Sequence, residues 1–551
     1  MTAPVAGRRT ALGLAAVVLT LLLLPLLLNV LRGGARGVGF DPRTEGSQLL
    51  FAATFPPSVS TEPLSGRLLI IVSKDASVEP RLQVGVGPSA PQVFGVDVRG
   101  WRPGRPLEVT DAEAGFPLPS LRYLRPGFYQ VQGVLHLYEP FDLPSGQTVL
   151  LPLESGEGQR WNLKPGNLLS GPVGVRLDAR SDDVIRVDLA RTIPPLPSAT
   201  DTESVKHVRF RSETLSAFWG REVFLEATVL LPQGWSETPG ARYPLLLLRG
   251  AAPAPETAPW GGADTPRLIL VVPGDANPYF ETAHGVNSEN LGPYGDALTY
   301  ELIPEIERRF RGVGEAWARS LVGAFSGGWA AMATQILYPD EYNGAWAVCP
   351  DHVDFRALAG VDLYQATNIY TDGAAGEAGA DGSGATVRPL ARENRLELVI
   401  GNRGRSGGRW DGWQAVYSPR GMDGYPRSAW AKRTGRIDPE VVASWRERYD
   451  LRHILERDWS TLGPALAGKL HVHAANDSAS HAVQLLDRFL EGTGDARYQG
   501  VVTSGEPGCE RTDAGGAPGA GVALAQRFLP EIALHFVRSA PAGADTTSWR
   551  F

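Results

Sequence analysis

The sequence predicts an α/β fold: a mostly parallel sheet carrying helices, joined to an N-terminal β-sandwich-like region and an apolar leader. Three observations carry this prediction. Short strand-like runs separated by Pro/Gly turns fill the first part of the body, and after about residue 200 such runs alternate with helical segments. Two of the later runs, Tyr243–Leu248 and Arg267–Val272, are solidly apolar, as strands buried on both faces of a parallel sheet are.

At the N-terminus, Arg8 and Arg9 precede an almost unbroken apolar run from Thr10 to Leu31, followed by a loop-like stretch from Arg32 to Gly37. About 22 residues suffice to span a bilayer and exceed an ordinary signal-peptide core, and no clear small-x-small cleavage site follows. Residues 1–40 are therefore expected to be a membrane anchor or a signal peptide, with the body exported.

Residues 46–195 are expected to form the β-sandwich-like domain, from strands at Leu49–Ala53, Arg67–Ser73, Tyr129–His136, Thr148–Leu151 and Val184–Asp188. The Pro-rich Thr192–Ser198 reads as a linker. In residues 201–551 the expected strands are Glu222–Pro232, Tyr243–Leu248, Arg267–Val272, Ser320–Gly323, Ala345–Val348, Leu396–Ile400, Lys469–His473 and Gln499–Thr503. Helices are expected at Asp296–Phe310, Gly327–Leu337 and Ala482–Leu490, and a Gly/Ala-rich loop at 372–386.

Composition narrows the function. With 43% hydrophobic and 21% charged residues, and 53 Lys+Arg against 60 Asp+Glu, the chain is neither a disordered polymer nor a basic nucleic-acid binder. The 64 Gly and 44 Pro beside 3 Met favour turn-rich strands over a helical bundle, and two cysteines exclude a disulfide scaffold.

The sharpest chemical signal is Leu321-Val-Gly-Ala-Phe-Ser326-Gly-Gly-Trp329, a strand running into a helix with a serine among small residues. This pattern predicts a nucleophile elbow, with Ser326 on the strained turn and the Gly327 N–H as an oxyanion donor. A helix N-cap serine is the bland alternative. In this arrangement the acid and then the histidine follow the serine along the chain. Asp477, after the strand Lys469–His473, can supply the acid or merely cap the next helix. The base is missing: the loop after Gln499–Thr503 holds no histidine, and His535 lies in a helical run where packing explains it.

These residues carry a family resemblance. From Ser216-Ala-Phe-Trp-Gly220 through Asn290–Gly295, Gly323–Trp329 and Cys349–Phe355 to Ala542–Trp549, the chain resembles the esterase group of exported α/β-hydrolases, relatives of enterochelin esterase and esterase D. The resemblance implies an α/β-hydrolase domain that cleaves carboxylic esters without a cofactor or metal. It places the nucleophile at Ser326 and the acid at Asp477 or its neighbour Asn476. It also implies a Gly-His-Cys sequence where this chain reads Pro507-Gly508-Cys509, and a second proline where this chain has His352.

Two outcomes compete. Either His352, His473 or His481 replaces the base, His352 being preferred because it follows the strand beside the elbow, or the domain is a degenerate hydrolase that binds at the cell envelope. Gly250 and Ala251, after the strand ending at Leu248, are the other oxyanion candidates. Cys349 and Cys509 each follow a predicted strand at the same edge, so a disulfide between the two loops competes with two free thiols.

Weaker patterns are His471-x-His473, a marginal zinc pair, and Gly463–Lys469, which imitates a phosphate loop but precedes a strand. The aromatic stretch Arg409–Tyr417, with Tyr425, Trp430 and Trp445, reads as packing under a cap or as the lining of a pocket. The expected partner is a small-molecule or glycan-linked ester, with no nucleic acid and with a membrane only through the leader.

Overall fold

The computed structural model describes residues 49–155, 157–197, 199–250, 260–262, 265–372, 379–380, 386–387, 389–475, 481–493, 500–506 and 520–550. The expected leader lies outside the described residues. Among those described, no helix is long and apolar enough to cross a membrane.

The first part of the chain pairs into two main sheets. Val184–Asp188, Leu50–Thr54 and Leu107–Val109 make a three-stranded sheet, and Gly127–Leu137, Leu64–Ser73 and Gln92–Trp101 form the centre of a seven-stranded one. Successive residues of a strand point to opposite faces. Leu68, Ile70 and Val72 therefore join Phe51, Ala53 and Phe94 in the core between the sheets. Leu69 and Ile71 point the other way and pack on Leu396, Val399 and Ile400. That double burial explains why Leu68–Val72 is apolar without alternation. A buried ion network fastens the same contact: Arg67 donates to the carbonyl oxygens of Val399 (3.0 Å) and Leu398 (3.2 Å), and Asp97 accepts from both Arg67 and Arg405 at 3.0 Å.

The second part is an eight-stranded mixed sheet of β1 (Val205–Ser212), β2 (Val223–Leu230), β3 (Leu245–Arg249), β4 (Ile269–Gly274), β5 (Arg319–Ala324), β6 (Ala345–Val348), β7 (Leu470–Ala474) and β8 (Val501–Ser504). Its order is β1-β2-β4-β3-β5-β6-β7-β8. The β1/β2 and β2/β4 pairs are antiparallel and the others parallel, which is the sheet of the α/β-hydrolase fold. β3 and β5 lie at the centre and are buried almost throughout, as their solid apolar sequences require.

The helices that matter here are α1 (Ile303–Phe310), α2 (Ser326–Leu337), α3 (Pro389–Ile400), α4 (Arg409–Tyr417), α5 (Pro439–Tyr449), α6 (Leu451–Ala465), α7 (His481–Gly492) and α8 (Ala520–Ser539). One expectation is corrected: Leu396–Ile400 is the C-terminal end of α3 and not a strand. A five-residue apolar run fits either period; here it continues a helix whose earlier turns carry Leu390, Ala391 and Asn394 on the buried side. Helices α3 to α6 all belong to the segment between β6 and β7. Asp438 and Asp450 start α5 and α6 by accepting backbone N–H groups. Helix α4 lies against α2, with the Tyr417 and Trp413 rings 5.0 and 6.1 Å from the Trp329 ring.

Candidate functional site

The site is built around the bend between β5 and α2. The strand ends at Ala324 and the helix begins at Ser326, so Phe325 alone makes the turn. Its backbone sits at φ 54° and ψ −120°, a region that a bulky side chain enters only under strain. Three hydrogen bonds hold it there: Phe325 N–H donates to Val348 O (3.0 Å), and Phe325 O accepts from the N–H groups of Trp329 (3.0 Å) and Asp351 (3.1 Å).

Two glycines make the bend possible. A Cβ on Gly323 would fall within 3.0 Å of the Gly327 backbone, and one on Gly327 within 3.0 Å of the Arg249 carbonyl. Gly323 and Gly327 are thus the close-packing glycines of the elbow, and the residue midway between them is Phe325. Sequence reading expected Ser326 on the strained turn, taking Ala324 as the first small position. The structure places Ser326 one residue later, as the first residue of α2. The four-residue spacing of Gly323 and Gly327 was the signal that sets this frame.

Ser326 is half-buried, and among the described residues its hydroxyl makes no hydrogen bond. A serine hydroxyl with no base on it keeps its proton and its ordinary, weak nucleophilicity. The expected oxyanion donors are placed as follows. Gly327 is buried, and Gly250, at φ 65°, lies so close that a Cβ on it would sit 2.7 Å from the Gly327 nitrogen. Gly250 therefore closes on the Gly327 N–H from the β3 side. Ala251, Asn476, Asp477, Gly508 and Cys509 lie outside the described residues.

The candidate bases are dispersed. His352, in the loop after β6, stacks on Trp410 (6.3 Å between ring centres, 27° between planes) and meets Trp413 edge-on at 5.4 Å. His481 is an exposed residue at the start of α7. His473 shares Nδ1 with the Thr503 hydroxyl at 2.8 Å and lies over Phe528 of α8. His471 stacks flat on Trp346 at 4.1 Å, and His535 meets Trp346 edge-on at 5.5 Å. The His471-x-His473 pair shares one strand face, as expected, but that face is covered by α8. Among the described residues no group of three His, Cys, Asp or Glu side chains converges as a metal site would require.

One imidazole was missed. His284, in the loop after β4, is fully buried against Trp329, Trp413 and Tyr417, with ring centres 5.8, 5.1 and 5.8 Å away. Its Nδ1 lies 3.3 Å from the Tyr417 hydroxyl, and its Nε2 has no partner among the described residues. Burial drives its pKa down to about 4, while Asp275 and Asp351 pull it up and Arg249 adds to the depression. The loop is set by Asp275, which accepts from Arg249 Nη2 (3.0 Å), Gly285 N–H (3.0 Å) and the Thr282 hydroxyl (2.8 Å). No local motif marks His284, because it reaches the elbow only through the fold.

The aromatic stretch Arg409–Tyr417 is helical, and Trp410, Trp413 and Tyr417 all bury. Tyr425, Trp430 and Trp445 bury as well, so these residues are packing, as one of the two readings held. Cys349, at the end of β6, is disulfide-bonded.

No family model matches the sequence, and no curated protein matches it. Solved structures do resemble the fold. A ferulic acid esterase is 14% identical, covering 60% of this chain and 99% of its own, with a TM-score of 0.35. An S-formylglutathione hydrolase from Agrobacterium tumefaciens is 12% identical over 61% of this chain and 95% of its own, with a TM-score of 0.34. MPT51 from Mycobacterium tuberculosis is 12% identical over 60% of this chain and 98% of its own, with a TM-score of 0.32. The fold assignment rests on this chain's own strand order.

Proposed function

We propose that this chain is an α/β-hydrolase-fold protein of the cell envelope that binds an ester-type ligand, small or glycan-linked, at its elbow without hydrolysing it. The observation that carries the reading is Phe325 at the strained position between Gly323 and Gly327, where a working elbow needs an oxygen or sulfur nucleophile. A second observation supports it: the Ser326 hydroxyl has no hydrogen-bonded imidazole among the described residues. The reading carries the chain as a leader at 1–40, a β-sandwich-like domain at 46–195 and a hydrolase-type domain at 201–551, with no cofactor or metal. The disulfide at Cys349 suits an exported body, since such bonds persist in oxidising compartments.

A second reading keeps the chain as an esterase with Ser326 as nucleophile, Asp477 as acid and His352 as substitute base. It is favoured by the partial exposure of Ser326 in the first turn of α2, where the helix dipole stabilises negative charge. A short-chain p-nitrophenyl ester assay on wild type and Ser326→Ala separates the two. Binding without turnover gives equal background rates in both proteins; a rate lost in Ser326→Ala establishes the esterase.

A further inference from the structure

Away from the elbow, one lysine is sealed between two carboxylates. Lys432 Nζ contacts both Glu397 Oε2, at the end of α3, and Asp411 Oδ1, in the first turn of α4. The three side chains are only 6, 7 and 5% exposed. Each carboxylate has its second oxygen occupied: Glu397 Oε1 accepts from Trp410 N–H at 2.9 Å, and Asp411 Oδ2 accepts from the Ser406 hydroxyl at 2.5 Å and its N–H at 3.3 Å. Gly408 is needed here, because a Cβ on it would lie 2.5 Å from Glu397 Oε1.

We propose that Lys432 and Asp411 condense in the folded protein to form an intramolecular amide, with Glu397 as proton carrier. Lys432 Nζ attacks Asp411 Cγ, the Nζ–Cγ bond forms, and the Cγ–Oδ1 bond breaks. Glu397 Oε2 relays two protons from Nζ to Oδ1, the first freeing the amine to attack and the second leaving the attacking nitrogen as the Cγ–Oδ1 bond breaks, so that Oδ1 departs as water. Ammonium plus carboxylate gives amide plus one water, so no oxidant or co-reactant is required.

The geometry assigns the roles. The oxygen that leaves is the one touching Lys432, while the one that stays as the amide carbonyl is already held by Ser406 in the manner of an oxyanion site. Burial and the neighbouring Asp411 push Glu397 up to about 7 despite Lys432, so it can both hold and release a proton near neutrality. Burial alone favours the neutral amine of Lys432, whereas the two carboxylates hold it charged and set the net direction upward. Condensation removes the ammonium and one carboxylate together, and with them the desolvation cost of a buried ionic triad. Fixed proximity in a dry site replaces the high concentration such a coupling needs in water. The product ties α4, which presses Trp413 and Tyr417 against Trp329, to the turn at 431–435. The inference is independent of whether the elbow binds or cleaves.

The test is a tryptic map of the purified full-length chain, denatured and reduced. Arg409, Arg420, Arg427 and Arg433 bracket two peptides, 410–420 and 428–433. The expected result is one branched species joining them at Asp411 and Lys432, lighter than their sum by one water, and its absence in Lys432→Arg and in Glu397→Gln. Unmodified 410–420 beside 428–432, the latter cut after a free Lys432, in the wild type overturns the proposal. So does a water loss confined to 410–420, which marks an imide at Asp411-Gly412, or a branch at Glu397. Full cross-linking in Glu397→Gln overturns the proton-carrier role.

Discussion

Across the bend between β5 and α2, Gly323 lies so close to the Gly327 backbone, and Gly327 to the Arg249 carbonyl, that neither can carry a side chain, and the residue midway between the two glycines is Phe325. The first prediction follows from that contact. Gly323→Ala and Gly327→Ala each push a Cβ into backbone that cannot yield, so each is expected to cost about 3 kcal/mol or more, at the large end for single substitutions. Ser326→Ala should stay within about 1 kcal/mol of wild type. Urea unfolding of the three variants checks this, and a Gly327→Ala protein as stable as wild type would contradict the packing described.

Arg249 and Asp275 form a buried pair beneath the elbow, 3 and 6% exposed. Breaking it leaves an uncompensated charge, so Arg249→Met or Asp275→Ala should each destabilise by about 3–5 kcal/mol. The double variant should cost much less than the sum of the two. Additive losses in a double-mutant cycle would show that the pair is not coupled.

The contact between the N-terminal sheets and α3 depends on Asp97 neutralising Arg67 and Arg405. Arg405 and Arg67 hold the Asp97 carboxyl below its usual range against the opposing effect of burial. Asp97→Ala should strand both guanidinium groups, lower stability by about 3 kcal/mol and split a single calorimetric transition in two. A single unshifted transition would mean that the network does not fasten the two halves.

Acid should weaken the fold through its buried imidazoles. His284 has a folded pKa of about 4, against an ordinary 6.5. Between those values the unfolded chain binds the extra proton, so stability is lost as pH falls from about 6.5 toward about 4. His136, driven by burial to about 3, acts in the same direction. Glu397 acts oppositely in chains where Lys432 and Asp411 are still ionised: its raised pKa of about 7 gives a contribution present below about 4.5 and lost as pH rises through 7. His284→Gln, which can still bond Tyr417, should recover roughly 2–3 kcal/mol of the acid loss. An unchanged acid slope in that variant would contradict the assignment.

How far the sequence could be read depends on how local each signal was. Solid runs such as Leu245–Arg249 declare a buried parallel strand wherever they occur, so the hydrolase sheet was legible. Leu396–Ile400 was not, because a short apolar run fits two periods and only the preceding turns of α3 decide between them. At the elbow, serine among small residues drew attention to Ser326, whereas the frame is fixed by which glycines touch across the bend. His284 was invisible for a deeper reason: it is carried to the elbow by β4 and Asp275, a relationship of the fold and not of spacing along the chain.

The most direct test of the account is labelling of the native protein with a fluorophosphonate probe, followed by peptide mapping of residues 319–337. The account predicts no adduct on Ser326, because the strained position belongs to Phe325 and, among the described residues, no imidazole is hydrogen-bonded to the neighbouring hydroxyl. A stoichiometric adduct on Ser326, formed by the folded protein and abolished by denaturation, would contradict it.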